Sequence, residues 1–127
     1  MSEWDWRTLP AGPELERLIA ERLGWHDLRE QEIWEEDWYS DGFFKRWRGT
    51  DPEGEDRLVP RFSLLADAAI APVAQLDIRW RLLAHGGRWY KACIGGMDDE
   101  IADTPALALN HALLAYLDWK EMLRWNK

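Results

Sequence analysis

The sequence predicts an α+β fold, in which helix, hairpin, helix, hairpin and helix follow one another along the chain. Residues 102–119 repeat apolar side chains at helical spacing, and residues 76–82 alternate apolar and charged side chains. Aromatic-rich runs flank an Asp-Gly pair at positions 41 and 42, which is typical of a hairpin. We therefore expect one domain over residues 1–127, with a four-stranded, largely antiparallel sheet covered by helices as an α/β/α sandwich.

The N-terminal part begins with a short lead, residues 1–12, before the first helix. Trp4 and Trp6 alternate there with charged residues, so the lead is expected to form a short strand or an arm that docks on the domain. The first helix is predicted from position 13 to position 23, because its leucines and isoleucine share one face. Gly24 then suits the left-handed residue that ends many helices.

The first hairpin is predicted from two strands at residues 32–39 and 43–48. The first strand is acidic and the second is basic, which favours pairing between them. Asp41 and Gly42 are expected in the turn. Residues 49–57 are rich in Gly, Pro, Asp and Glu, which predicts a mobile charged loop.

The second helix and second hairpin follow. Ser63 is the expected N-cap of a helix over residues 64–76, which Pro72 should kink or split into two pieces. A strand with one buried and one basic face is predicted at residues 76–82, and the returning strand at 88–94.

The last helix is the best-defined element of the sequence. Thr104 can cap its free backbone N–H groups, and Pro105 suits the first helical position. Alanine fills much of its apolar stripe, which favours close packing on a sheet over a coiled coil.

The charge distribution limits the classes of partner. The formal net charge is −8, and residues 1–57 carry all of it, with 16 acidic against 8 basic residues. Such acidity argues against non-specific nucleic-acid binding, although it suits a basic protein partner or simple solubility. The sequence has no apolar run long enough to span a membrane. Cys93 is the only cysteine, so a reducing cytoplasmic compartment and no cysteine-based metal site are expected.

Three segments resemble the phage ABA-sandwich domain proteins, which are small α/β/α proteins of phages and prophages. They are LPAGPELERLIAERLGW (9–25), VPRFSLLADAAIAPVAQL (59–76) and ADTPALALNHALLAYL (102–117). Pro72 departs from the family's second motif, and Asn110-His111 replaces the usual cysteine-arginine pair of the third. The resemblance implies a phage or prophage accessory protein in bacterial cytosol, and it implies no particular activity. The positions that match are Gly12, Pro13, Leu15, Ile19, Gly24, Trp25, Pro60, Phe62, Ser63, Thr104, Pro105, Ala108 and Ala112.

No catalytic motif stands out, so we expect a non-enzymatic protein without cofactor or metal. The sequence lacks a nucleophile elbow, a glycine-rich phosphate loop and a His-x-x-x-His pair. His26-Asp27 is interpreted as a pair in a helix-exit loop, and His111 and Cys93 as packing residues. The acidic run at residues 98–100 lacks the ligand spacing of a calcium site.

Two binding hypotheses remain. Ten tryptophans exceed what one small core needs, so some are expected to anchor a host protein or a second copy of the chain. By analogy with other small phage proteins, the host protein could belong to a defence system. The alternative is that the protein sequesters a small anionic ligand such as a signalling nucleotide. The protein-binding candidates are Trp4, Trp6, Trp34, Trp38 and Trp47, and the ligand-binding candidates are Arg46, Arg48, Arg79, Arg81, Trp34 and Trp47.

Overall fold

The computed structural model describes residues 6–36 and 41–125. After a 3₁₀ turn at Trp6–Thr8, it has three α-helices and six strands. In chain order these are α1 (Pro13–Leu23), β1 (His26–Glu36), β2 (Asp41–Thr50), β3 (Asp56–Leu58), α2 (Ala66–Ala74), β4 (Trp80–His85), β5 (Trp89–Ile94), β6 (Glu100–Ala102) and α3 (Pro105–Trp125). The α+β class is confirmed.

The prediction of one four-stranded sheet is wrong, because each hairpin builds its own sheet. The orders are β1-β2-β3 and β4-β5-β6, and all pairs are antiparallel. Helix α1 contacts the first sheet, and α3 contacts all three strands of the second. Since α3 also contacts α1 and α2, the helices join two separate sheets instead of covering a single central one.

The predicted end of α1 and the predicted start of α3 are both confirmed. Helix α1 spans Pro13–Leu23 and ends at Gly24, whose φ of 103° is left-handed. The backbone N–H of Trp25 then donates to the carbonyl of Ala20. At the start of α3, the backbone N–H of Leu107 donates to Thr104 Oγ1 at 3.1 Å, which confirms the predicted N-cap.

The first hairpin departs from the prediction at both ends. Strand β1 begins at His26, six residues early, with a register shift between His26 and Arg29 where Asp27 has a φ of 56°. Asp41 and Gly42 are strand residues and not turn residues, because they pair with Glu36 and Glu35. The hairpin connection, residues 37–40, lies outside the described chain.

The charged segment after β2 is a hydrogen-bonded turn and a strand instead of an open loop. The buried Asp51 carboxylate accepts the backbone N–H groups of Glu53 and Glu55. Its second oxygen lies 2.7 Å from Arg57 Nε. Strand β3 starts immediately after this turn.

Helix α2 is shorter than predicted and continuous. Leu65 is its N-cap, whereas Ser63 makes contacts elsewhere, and Pro72 lies inside the helix only two residues from its end. The expected strand at 76–82 begins only at Trp80, because Asp77 has a left-handed φ of 56°. Within the described chain, no helix is long and apolar enough to cross a membrane.

Candidate functional site

The predicted tryptophan anchors divide into buried and exposed residues. Trp6 and Trp47 are only 8% and 7% exposed, so the structure corrects their assignment as surface anchors. Trp6 Nε1 donates to Asp118, and the Trp47 ring lies under the Arg17 guanidinium at 4.7 Å. Trp34 is 54% exposed. Trp4 and Trp38 lie outside the described residues.

Trp34 forms an exposed aromatic pair with Phe43, a residue that the sequence did not single out. The two residues are direct cross-strand partners in the outer half of the first hairpin. Their ring centroids are 5.3 Å apart with an interplanar angle of 76°, an edge-to-face contact. Phe43 is 68% exposed, so both rings of this Trp34–Phe43 pair meet solvent.

The Trp34–Phe43 pair is exposed because the strands of the hairpin extend beyond helix α1, which covers the same face. Side chains that pair across antiparallel strands share a face, so Trp34 and Phe43 lie on the same side as Trp47. Helix α1 covers the inner part of that side, where Arg17 lies over Trp47 and Glu14 binds Lys45 Nζ at 2.8 Å. Further out along the hairpin, the same face meets solvent.

Acidic groups border the Trp34–Phe43 pair. Glu32 and Asp41 lie on the same face and are exposed. Neither has an ion pair with another side chain of the described chain. The nearby cation, Lys45, is already bound by Glu14 and by Glu30, and these hydrogen bonds raise the pKa of Lys45. The surface therefore combines two exposed rings with uncompensated negative charge.

The opposite face of the hairpin is held by arginines. Arg46 Nη1 lies 2.6 Å from Glu35 Oε1, and Arg46 Nη2 donates to the Val59 carbonyl at 2.9 Å. Arg61 binds the other oxygen of Glu35. These contacts fasten the hairpin to the segment before α2, so Arg46 has a structural role.

The predicted anion-binding set is not brought together. Arg48 donates to Gln31 at 3.0 Å and lies 3.7 Å from Asp56, so it is committed to the first sheet as Arg46 is. Arg79 and Arg81 belong to the second sheet, where they line a cleft of about 340 Å³. The structure therefore corrects the six-residue ligand set by separating these two arginines from Arg46, Arg48, Trp34 and Trp47.

A buried polar contact that the sequence did not reveal braces α1. Glu16 is 4% exposed and accepts hydrogen bonds from the hydroxyl and backbone N–H of Ser63. Ser63 Oγ in turn accepts the backbone N–H of Gly12 at 2.8 Å. Burial raises the pKa of Glu16, against the opposing effect of these hydrogen bonds. In the sequence, Glu16 lies on the polar side of α1 and is expected to face solvent. Only the fold shows that it is buried against Ser63.

The remaining polar candidates lie on β1 and β5. His26 Nδ1 and Asp27 Oδ2 are 3.0 Å apart, and both side chains are exposed on the edge strand β1. The Cys93 thiol donates a hydrogen bond to the Met97 carbonyl at 3.0 Å. No group of three or more His, Cys, Asp or Glu side chains in the described ranges could hold a metal ion.

Comparison of the chain with protein-family models, with curated proteins and with solved structures gives no match.

Proposed function

We propose that this chain is a non-enzymatic accessory binding protein of phage or prophage type, which occupies a host protein with the outer end of its first hairpin. The Trp34–Phe43 pair carries the proposal. Two large rings side by side on a paired strand present apolar area that nothing in the described chain covers. Isolated exposed apolar residues are common on proteins, whereas paired aromatics on a rigid element resemble interface anchors.

The hairpin provides a rigid support for these anchors. Glu35, between Trp34 and the hairpin end, is bound by both Arg46 and Arg61 on the far face. The strands are therefore tied to the body of the protein close to the Trp34–Phe43 pair. A partner that binds the rings does not have to order a mobile segment, which lowers the entropic cost of association.

The charge around the pair indicates the chemistry of the partner. Glu32 and Asp41 are uncompensated acids beside the rings, and the chain as a whole carries −8. A complementary surface has an apolar pocket for the rings and basic residues at its rim. Binding should therefore weaken as ionic strength rises, mainly through slower association.

The biological setting rests on the resemblance to the phage ABA-sandwich domain proteins. It implies bacterial cytosol as the place of action, and analogy with other small phage proteins extends the proposal to interference with a host defence. The surface chemistry above does not depend on that setting.

Capture of bacterial proteins by the wild-type chain and by single variants tests the proposal. The variants are Trp34→Ala and Phe43→Ala, and Trp119→Ala is the matched control, since Trp119 is an exposed tryptophan on α3. Quantitative mass spectrometry should find a bacterial protein that the control and the wild type retain and that both hairpin variants lose. Retention of every captured protein by both hairpin variants would contradict the proposal.

A second copy of the chain is the competing occupant of the pair. Strand β1 is an edge of its sheet, and exposed edges and aromatics can support a homodimer. Sedimentation of the purified protein distinguishes the two cases. A wild-type dimer that Trp34→Ala converts to a monomer would replace the host-protein proposal with self-association.

A further inference from the structure

Two arginines at the start of the second sheet point to one face. The backbone N–H of Gly95 donates to the Arg79 carbonyl at 2.7 Å, which continues the β4–β5 ladder by one step beyond Trp80. Arg79 and Arg81 are thus two residues apart on extended chain, with Cα atoms about 6.6 Å apart and side chains on the same side. This side is opposite to the Ile94 face that packs in the core.

Small residues stand opposite the two arginines, and this creates the cleft. Arg81 pairs with Cys93, and Arg79 is bonded to Gly95, so small residues lie directly opposite both arginines. The loop that follows β5 forms the other wall, because the Cys93 thiol binds the Met97 carbonyl. The result is a cleft of about 340 Å³, which we name the arginine cleft and which is lined by Arg79, Trp80, Arg81, Cys93, Gly95, Gly96 and Met97.

The charged residues that line the cleft are basic in an acidic protein. The Arg79 side chain has neither an ion pair nor a hydrogen bond with another described residue. Arg81 lies 3.5 Å from Asp99, which also meets Lys91 at 3.7 Å. Asp99 therefore lies near two cations, and the charged residues that line the cleft, Arg79 and Arg81, are both basic although the chain carries −8.

The glycine loop adds a donor surface without blocking the site. Gly96 is one of the residues that line the cleft, and a Cβ there would meet nothing within 4 Å. The Gly96 backbone N–H has no hydrogen-bond partner within ranges 6–36 and 41–125. Backbone N–H groups and guanidinium groups together are the donors that bind phosphoryl oxygens.

We infer that the arginine cleft binds the diphosphate group of a small molecule, such as a nucleoside diphosphate. Two guanidinium groups on one side of the strand can each donate to one phosphoryl group of a diphosphate. The acidity of the rest of the chain disfavours a long polyanion such as nucleic acid, which would pass over repelling surface. The site is independent of the hairpin surface, so either proposal can fail without the other.

Isothermal titration with pyrophosphate and with ADP tests the site. The wild-type protein should bind both probes, and Arg79→Ala should weaken binding by about tenfold to a hundredfold, as expected for loss of a charged hydrogen bond. Arg88→Ala is the matched control, because Arg88 is an exposed arginine of the turn between β4 and β5, outside the cleft, and its loss should leave the affinity unchanged. Tighter binding of ADP than of pyrophosphate would assign a nucleotide, and equal binding a diphosphate group alone.

Three results would overturn the inference. The first is no heat of binding for either probe at concentrations up to about 10 mM, the range of very weak affinity. The second is an equal loss with Arg88→Ala, which would indicate non-specific attraction. The third is unchanged affinity in Arg81→Ala, which removes the other charged side chain that lines the cleft. Thermal melts of each variant confirm that the fold is retained.

Discussion

Replacing Trp47 and replacing Trp34 by alanine should have very different effects on stability. Trp47 is almost fully buried, and removing a buried tryptophan costs about 3–5 kcal/mol of unfolding free energy. Its Nε1 has no hydrogen-bond partner among the described residues, so relief of that cost places the value near the lower end, about 3 kcal/mol. Trp34 is more than half exposed and mainly loses its edge contact with Phe43, which is worth about 0.5–1.5 kcal/mol.

Urea unfolding of the two single variants and the wild type measures this difference. The gap between the variants should be about 2 kcal/mol, with Trp47→Ala the less stable, and the urea dependence of the free energy should stay constant. In thermal melts, Trp47→Ala should lower Tm by roughly 10 °C for a domain of this size. If Trp34→Ala costs as much as Trp47→Ala, the division into core and surface tryptophans is refuted.

Three further variants test contacts around the hairpin. Burial raises the pKa of Glu16, so the folded state binds a proton at this carboxylate more readily than the unfolded state. In unfolding titrations, the free energy of unfolding of the wild type relative to Glu16→Gln should therefore increase as pH falls from 7 towards 4.5. Hydrogen bonds led by that of the Glu55 N–H lower the pKa of Asp51. Asp51→Asn should therefore be less stable than wild type at pH 7, and this difference should shrink as pH falls below 3.8. In Gly49→Ala the new Cβ would lie 2.6 Å from Leu28 Cδ2 and 2.9 Å from the backbone oxygen of His26; because the backbone atom cannot rotate away, the change should cost about 1–3 kcal/mol in urea unfolding.

The helices with strong terminal signals were predictable from the sequence. Gly24 ends α1 in a left-handed conformation, and Thr104 caps α3, because each signal acts within one turn of the chain. The prediction that Ser63 is the N-cap of α2 is wrong. Its hydroxyl suited an N-cap, yet it binds Gly12 and Glu16, which are about 50 residues away in sequence. A local pattern cannot distinguish between a nearby and a distant partner for the same hydroxyl.

The division into two sheets was not predictable for a similar reason. Strand β3 lies in a segment whose Gly, Pro and acidic residues are typical of a loop, and it forms because Asp51 closes the preceding turn. Strand β6 likewise follows an acidic run. Each short third strand pairs with the second strand of its own hairpin, and the two hairpins form separate sheets.

The large number of tryptophans predicted that some of their rings would be exposed. The alternation of apolar and charged residues along the strands did not identify which ones. Trp34 and Trp47 lie on the same face of one hairpin. Their exposure differs because α1 covers only the inner part of that face. Only the length of the hairpin relative to the helix decides this, and sequence periodicity carries no information about it. The same limit applied to the arginines, since separate sheets keep Arg46 apart from Arg79.

Photo-crosslinking in bacterial cells tests the hairpin surface most directly. A benzophenone amino acid replaces Phe43 in one variant and Trp119 in another, since both positions are exposed and lie on different elements. We predict that the probe at position 43 forms a defined adduct with a bacterial protein and that the probe at position 119 does not form it. Absence of that adduct at position 43, or the same adduct at both positions, would contradict the claim that the outer end of the hairpin is the binding surface.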